Sequence, residues 1–207
     1  MRQSRKNKRF IYLISPNEIK EEEFYSNLNQ VLSSKKVSFF QLRLKKEKIK
    51  KKIIIAEKIK KICKKYRVKF LINDDPIFAK KINADGCHLG QKDMNILKAR
   101  KILKDKIIGI TCHNSINLAK RAISDGANYL AFGAFYSSKT KKVRYKARLR
   151  VLSLAKEITK TPVVAIGGIK DTNYKKLLLN KANFLAISDY IWNNKKLNPR
   201  EAINKLV

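Results

Sequence analysis

Acidic residues are in short supply in this chain. Sixteen Asp and Glu stand against 49 Lys and Arg in 207 residues, a formal charge of +33. Glycine and proline are sparse too, at seven and four, and no Pro-rich or Ser-rich tract marks a linker or a domain break. Alongside abundant Lys, Ile and Asn, this composition has the look of a bias towards A-rich and T-rich codons. Cysteine occurs three times, as Cys63, Cys87 and Cys112, with no C-x-x-C pair. An odd, unpaired set argues against a disulfide framework and predicts a reducing compartment. Long apolar runs are missing as well. The basic start, Met1 to Arg9, leads only into Phe10–Ile14, too short for a signal-peptide core or a membrane span, so a cytoplasmic protein is expected. No G-x-G-x-x-G follows the first apolar run, which removes the dinucleotide-binding signal. Neither a Ser-His-Asp elbow nor a glycosidase pair of acids is visible.

What is present points to a folded, soluble domain. The apolar share is 44% and the aromatic share 9%, which argues against disorder. A charge this high raises nucleic-acid binding as a possibility. However, lysines run from Lys6 to Lys205 through nearly every segment instead of clustering. A solvated basic surface is the expectation, with no specific nucleic acid and no membrane as partner. Its field would still draw in anionic small molecules.

Eight short apolar runs recur with helix-length segments between them: Phe10–Ser15, Ser38–Leu44, Val68–Asn73, Gly86–Leu89, Ile107–Cys112, Tyr129–Phe135, Pro162–Ile166 and Phe184–Ser188. Helices are predicted over Asn17–Lys35, Lys48–Tyr66, a short turn from Pro76 capped by Asp75, Asn95–Leu103, Ser115–Asp125, Leu149–Thr159, Thr172–Asn180 and Pro199–Leu206, with Gly126 as a C′ residue. Strict alternation predicts a parallel sheet covered by helices, and eight units favour closure. The predicted fold is α/β, a single (β/α)8 TIM barrel over residues 1–207, with 1–9 as a basic N-terminal extension.

Barrel sites lie at the C-terminal ends of the strands. Gln41, Arg43 and Lys45 are spaced by two, so an extended strand would point all three the same way; an outward polar stripe would have the same spacing. Asn73 and Asp74 close the third strand, and Asp93 follows the fourth. Two carboxylates at adjacent strand ends suit Mg²⁺, although helix capping uses Asp equally well. Thr111 ends the fifth strand. Ser138, Thr140 and Lys141 follow the sixth, where hydroxyls and a lysine can hold phosphate. Gly167, Gly168, Ile187 and Ser188 end the last two strands, where this fold recurrently binds phosphate through backbone amides. A tight turn alone would also call for the two glycines. The pairs Cys87-His88 and Cys112-His113 fit no structural zinc spacing, and adjacent strand residues face opposite ways.

The ordered set of strand ends resembles the thiamine-phosphate synthase family. The residues that carry the resemblance are Asn73-Asp74, Ala84-Asp85-Gly86-Cys87-His88-Leu89-Gly90-Gln91-Lys92-Asp93, Gly109-Ile110-Thr111-Cys112-His113, Gly126-Ala127-Asn128-Tyr129, Ser138-Lys139-Thr140-Lys141, Ala165-Ile166-Gly167-Gly168-Ile169 and Ala186-Ile187-Ser188. The resemblance implies an Mg²⁺-dependent transferase that joins hydroxymethylpyrimidine diphosphate to thiazole phosphate, through a pyrimidine-methyl cation. It implies that Gln41, Arg43, Lys45, Asn73 and Lys141 hold the pyrimidine diphosphate and that Asp74 and Asp93 hold Mg²⁺. Thr111 would lie near the pyrimidine. Ser138, Thr140, Gly168, Ile187 and Ser188 would hold the thiazole phosphate. Arg43, Lys45 and Lys141 would carry the catalytic charge stabilisation.

The family's pattern fades in places. Ser138 and Thr111 are conservative changes that keep a hydroxyl. Ser137 replaces a usual proline, and Val143 to Arg150 lacks the usual glycine and acids. Two alternatives follow: a thiazole tautomerase-like enzyme with His113 as acid or base, or a degenerate barrel that only binds phosphoesters. A homo-oligomer is compatible with the sequence.

Overall fold

The computed structural model describes residues 9–137 and 145–206. Eight parallel strands close into a barrel in sequence order, β1 pairing with both β2 and β8. They are β1 (Ile11–Ile14), β2 (Val37–Leu42), β3 (Lys69–Asn73), β4 (Gly86–Leu89), β5 (Ile107–His113), β6 (Tyr129–Gly133), β7 (Val163–Ile166) and β8 (Phe184–Ile187). The helices are α1 (Glu21–Ser33), α2 (Ile49–Lys65), α3 (Pro76–Lys81), α4 (Ile96–Leu103), α5 (Ile116–Ser124), α6 (Arg150–Ile158), α7 (Tyr174–Leu179), α8 (Asp189–Trp192) and α9 (Pro199–Asn204). No helix among the described residues is long and apolar enough to cross a membrane.

Period-two alternation splits the core in two. Leu13, Phe40, Leu42, Phe70, Ile72, Ile108, Leu130 and Leu185 point outward and pack with helix residues such as Leu28, Ile55 and Leu152. Their neighbours in sequence, Tyr12, Ile14, Leu71, Tyr129, Ala131, Val164 and Ala186, fill the barrel interior with Phe39, Ile107, Ile166 and Phe184 against them. Both faces of each strand are therefore covered, which is why the strand segments are nearly all apolar.

The bottom of the barrel carries a repeated stitch. Asp85, Asn128 and Asn183 each precede an even-numbered strand, in Ala-Asx dipeptides. The Asp85 carboxylate accepts from the Phe70 N–H at 2.9 Å while its own N–H donates to the Phe70 carbonyl at 2.8 Å. Asn128 does the same with Ile108, at 2.8 and 2.7 Å. Asn183 does so with Val163, at 2.8 Å both ways. Each stitch satisfies backbone groups where the ladder would otherwise end.

Helix starts follow capping chemistry. Asp75 accepts from Phe78 N–H at 2.8 Å, with Pro76 in the first turn. Asn95 and Ser115 cap α4 and α5, and Asn198 with Glu201 forms a reciprocal capping box on α9. Gly126 closes α5 at φ +85°. Strand and helix ends lie within four residues of the sequence expectation, and β4 matches it at both ends: β6 stops at Gly133, short of Phe135, and α1 starts at Glu21 instead of Asn17. The four-residue α8 is an addition, since so short a helix has no periodicity to detect.

Candidate active site

The C-terminal mouth of the barrel gathers most of the predicted residues. On β2 the interior parity runs Phe39, Gln41 and on to Arg43 beyond the strand end. Gln41 is 3% exposed, and its amide donates to Asn73 Oδ1 at 2.5 Å. The two amides lock together because β2 and β3 are neighbours in register, Gln41 opposite Leu71. Arg43 is held twice. Its backbone N–H donates to Ser15 Oγ and its guanidinium to Asn17 Oδ1, both at 2.9 Å. Lys45 reaches Asp74, Nζ to Oδ2 at 3.0 Å. Interior, rim and solvent thus succeed one another along a single stripe.

Asp74 and Asp93 come together. Asp74 takes φ +66° immediately after β3, and its N–H donates to the His88 carbonyl of β4 at 2.8 Å. Asp93 Oδ2 accepts from the Gly90 N–H at 2.7 Å, which turns the loop after β4 back towards β3. The two carboxyls lie close enough for each to perturb the other's ionisation. Burial, joined by the Asp74 charge, pushes Asp93 up despite the Gly90 N–H. Burial opposes ionisation of Asp74 too, yet the Lys45 ammonium and the Asp93 carboxyl hold it below the usual carboxylate range. Two like charges this close oppose each other's ionisation, which favours a counter-charge between them. Such a pair offers hard oxygen donors to a divalent cation. No third His, Cys, Asp or Glu completes a metal cluster among the described residues, so further ligands would have to be water or substrate oxygens.

Below this rim lies a polar chain that the sequence expectation missed. His88 Nε2 lies 2.9 Å from Thr111 Oγ1, and its Nδ1 lies 2.8 Å from Tyr129 Oη. Tyr129 Oη is 2.7 Å from Tyr12 Oη. Burial pushes the His88 imidazole down to about 4, against the pull of Asp74. Cys87 and Cys112, the sequence neighbours of the histidines, point into the helix layer and are buried free thiols. Gln91 donates to the Thr111 carbonyl at 2.5 Å and ties the Asp93 loop to β5. His113 sits apart at the rim, stacked on Tyr145 with centroids 4.0 Å apart.

On the opposite side, Gly167 (φ +109°) and Gly168 (φ +59°) form a turn after β7. A Cβ on Gly168 would come within 2.3 Å of the Ser137 carbonyl oxygen. Only glycine lets the two backbones approach this closely. Ser188 donates to the Ser15 carbonyl at 3.1 Å. The Ile187 side chain packs in the helix layer, so its backbone is what it can offer a ligand. Ser138, Thr140 and Lys141 lie outside the described residues. Among the described residues, Ala134 pairs with Tyr145 and Ala147, and Tyr136 N–H donates to the Gly167 carbonyl at 3.1 Å. Next to it is a cavity of about 270 Å³ lined by Ala134, Phe135, Tyr136, Ser137 and Lys146.

Comparison with known proteins bears on the family and the fold. A family model described as thiamine monophosphate synthase matches residues 11–191. A thiamine-phosphate synthase of Pelagibacter ubique is 72% identical over 206 residues, covering 100% of both chains. One from Saccharophagus degradans is 43% identical over 152 residues, covering 73% of this chain and 70% of the relative. Among solved structures, a thiamine phosphate pyrophosphorylase from Pyrococcus furiosus superposes with a TM-score of 0.84 at 28% identity, covering 97% of this chain and 94% of that one. A 3-hexulose-6-phosphate synthase superposes at 0.66 with 15% identity, a likeness of fold alone.

Proposed function

The chain belongs to the thiamine monophosphate synthase family, and from that premise we propose that it joins hydroxymethylpyrimidine diphosphate to thiazole phosphate with Mg²⁺, releasing thiamine phosphate and diphosphate. The observation that carries the proposal is the electrostatically coupled Asp74 and Asp93 at adjacent strand ends, with Lys45 3.0 Å from Asp74. A barrel with no metal or diphosphate to bind has little reason to bring two of its scarce carboxylates together.

Each residue takes a role from its position. Gln41 and Asn73, already locked together, would offer their remaining amide groups to the pyrimidine diphosphate. Arg43 and Lys45 would face its phosphates, with Lys141 reaching in from the segment after β6. Diphosphate leaves as an anion, so fixed positive charge near it lowers the barrier. The Lys45–Asp74 pair is solvated, with side chains 58% and 29% exposed. Such pairs are worth little, so Lys45 can exchange Asp74 for a phosphate oxygen at small cost. When bound by Asp74 and Asp93, Mg²⁺ would neutralise charge building on the departing diphosphate.

The thiazole phosphate would occupy the opposite corner, on the backbone around Gly168, Ile187 and Ser188 with the hydroxyls of Ser138 and Thr140. In that arrangement the thiazole nitrogen would approach the pyrimidine methylene across the barrel mouth. Capture of a cation needs alignment and exclusion of water more than a general base.

The test is to incubate the purified protein with both substrates and Mg²⁺ and to measure thiamine phosphate. Product is expected from the wild type, and its loss from Asp74→Asn. A wild type that makes none, or an Asp74→Asn variant of near-normal rate, overturns the proposal.

A further inference from the structure

Four strands contribute one polar side chain each to the barrel interior: Tyr12 from β1, Tyr129 from β6, His88 from β4 and Thr111 from β5. They form an unbranched chain of three hydrogen bonds, 2.7, 2.8 and 2.9 Å long. Tyr12 and Tyr129 are 1% and 3% exposed, enclosed by apolar neighbours that include Leu71, Ala131 and Val164. Thr111 is the end of the chain that opens to the mouth; Tyr12 is the sealed end.

A neutral imidazole has one N–H and one lone pair, so the chain takes one of two polarities at His88, set by which ring nitrogen carries the proton. Run inward, Thr111 donates to Nε2, Nδ1–H donates to Tyr129, and Tyr129 donates to Tyr12. The Tyr12 proton is then left over, or the equally buried Tyr129 proton if Tyr129 accepts from both neighbours. Among the described residues Tyr12 Oη has Tyr129 Oη as its one hydrogen-bond partner, so that proton would be buried against apolar carbon. Run outward, Tyr12 donates to Tyr129, Tyr129 to Nδ1, and Nε2–H to Thr111. Every buried proton is then satisfied, and the one left over is the Thr111 hydroxyl proton at the mouth. A buried donor without a partner is costly, whereas one at the mouth can find water or ligand.

We infer that the buried Tyr12–Tyr129–His88–Thr111 chain is polarised outward and presents the Thr111 hydroxyl to the bound substrate as a hydrogen-bond donor. The ligand atom it would take is an acceptor, such as a ring nitrogen or a diphosphate oxygen. A group that only donates is disfavoured there. Tyr12, Tyr129 and His88 are positioning residues that act through Thr111. The identity of the ligand rests on the function proposed above; the polarity does not.

The two parts are tested separately. The sequence has two histidines, so a ¹⁵N-histidine spectrum of the wild type, compared with that of His113→Asn, isolates His88. The expected spectrum at neutral pH has a protonated, pyrrole-type Nε2 and an unprotonated, pyridine-type Nδ1. A proton on Nδ1, alone or together with one on Nε2, overturns the polarity whatever the protein catalyses. Tyr12→Phe should leave this tautomer as it is, because Tyr12 only donates. A reversal on that substitution also refutes the inference. For the substrate contact, kcat/KM for thiamine phosphate formation should fall about tenfold in Thr111→Val, with Thr111→Ser restoring it. Equal rates in the Val and Ser variants overturn the donor role. A wild type that is inactive but shows the expected tautomer refutes the proposed function and leaves the polarity standing.

Discussion

A methyl group on Gly109 would collide with the ring of Tyr129. The two residues sit opposite each other on β5 and β6. A Cβ at Gly109 would lie 1.8 Å from Tyr129 Cζ and 2.2 Å from both Cε atoms. The ring cannot stay where it is in Gly109→Ala. It is buried and held at its hydroxyl by Tyr12 and His88, so any movement breaks those bonds. Overpacking of this kind costs about 1–3 kcal/mol. Two hydrogen bonds at about 1 kcal/mol each add to it. The expected loss is about 4 kcal/mol, which for a chain of this size lowers Tm by about 8–16 °C. Urea unfolding monitored by circular dichroism measures it, as a drop in midpoint with unchanged slope. A double-mutant cycle isolates the cause. Tyr129→Ala is destabilising by itself, but it vacates the space, so adding Gly109→Ala in that background should cost about 1 kcal/mol or less. An equal cost in both backgrounds would refute the reasoning, because the clash would then not be with Tyr129.

Three further outcomes follow from other parts of the molecule. Gly168→Ala places a Cβ against Ser137 at a positive φ; KM for thiazole phosphate should rise about tenfold or more while the other KM barely moves, and two unchanged KM values would remove Gly168 from that corner. His88 is held near 4 in the folded state against 6.5 when free. Between those values the unfolded chain takes up a proton that the native state refuses, so stability is flat above about pH 6.5 and falls by about 3 kcal/mol by pH 4. The unfolding midpoint of wild type against His88→Gln across that range reads the difference, and parallel pH curves would contradict it. Duplex DNA should bind weakly and with a steep salt dependence in a fluorescence anisotropy titration, since the lysines are dispersed; tight, sequence-selective binding at physiological salt would mean a dedicated face.

Much of the rim was legible because barrel geometry is one-dimensional at the strand ends. Gln41, Arg43 and Lys45 repeat every two residues, and the structure shows that stripe running from a buried amide to a solvated ammonium. Asp75 announced a cap by standing before Pro76, and Gly126 a helix end. The interior chain was not legible. Strands such as Gly86–Leu89 have four residues, too few to reveal which face is which, and His88 beside Cys87 offered no parity of its own. Tyr12 and Tyr129 are 117 positions apart and looked like ordinary core aromatics. The Asx stitches were hidden for the same reason, since each joins a residue to the strand before it across a helix.

The sequence by itself determined the alternation of eight strands with helices, because periodicity, caps and turns are local properties of a chain. It also determined which residue types stand at each strand end, and hence the chemistry available at the mouth. Tertiary structure alone decided the pairings. Closing the barrel set the inward parity of all eight strands at once. That closure brought Asp74 against Asp93, and it linked Tyr12, Tyr129, His88 and Thr111 into one chain. Hydrogen bonds depend on distances of about 3 Å, and only the closed ring of strands fixes distances between residues so far apart in sequence.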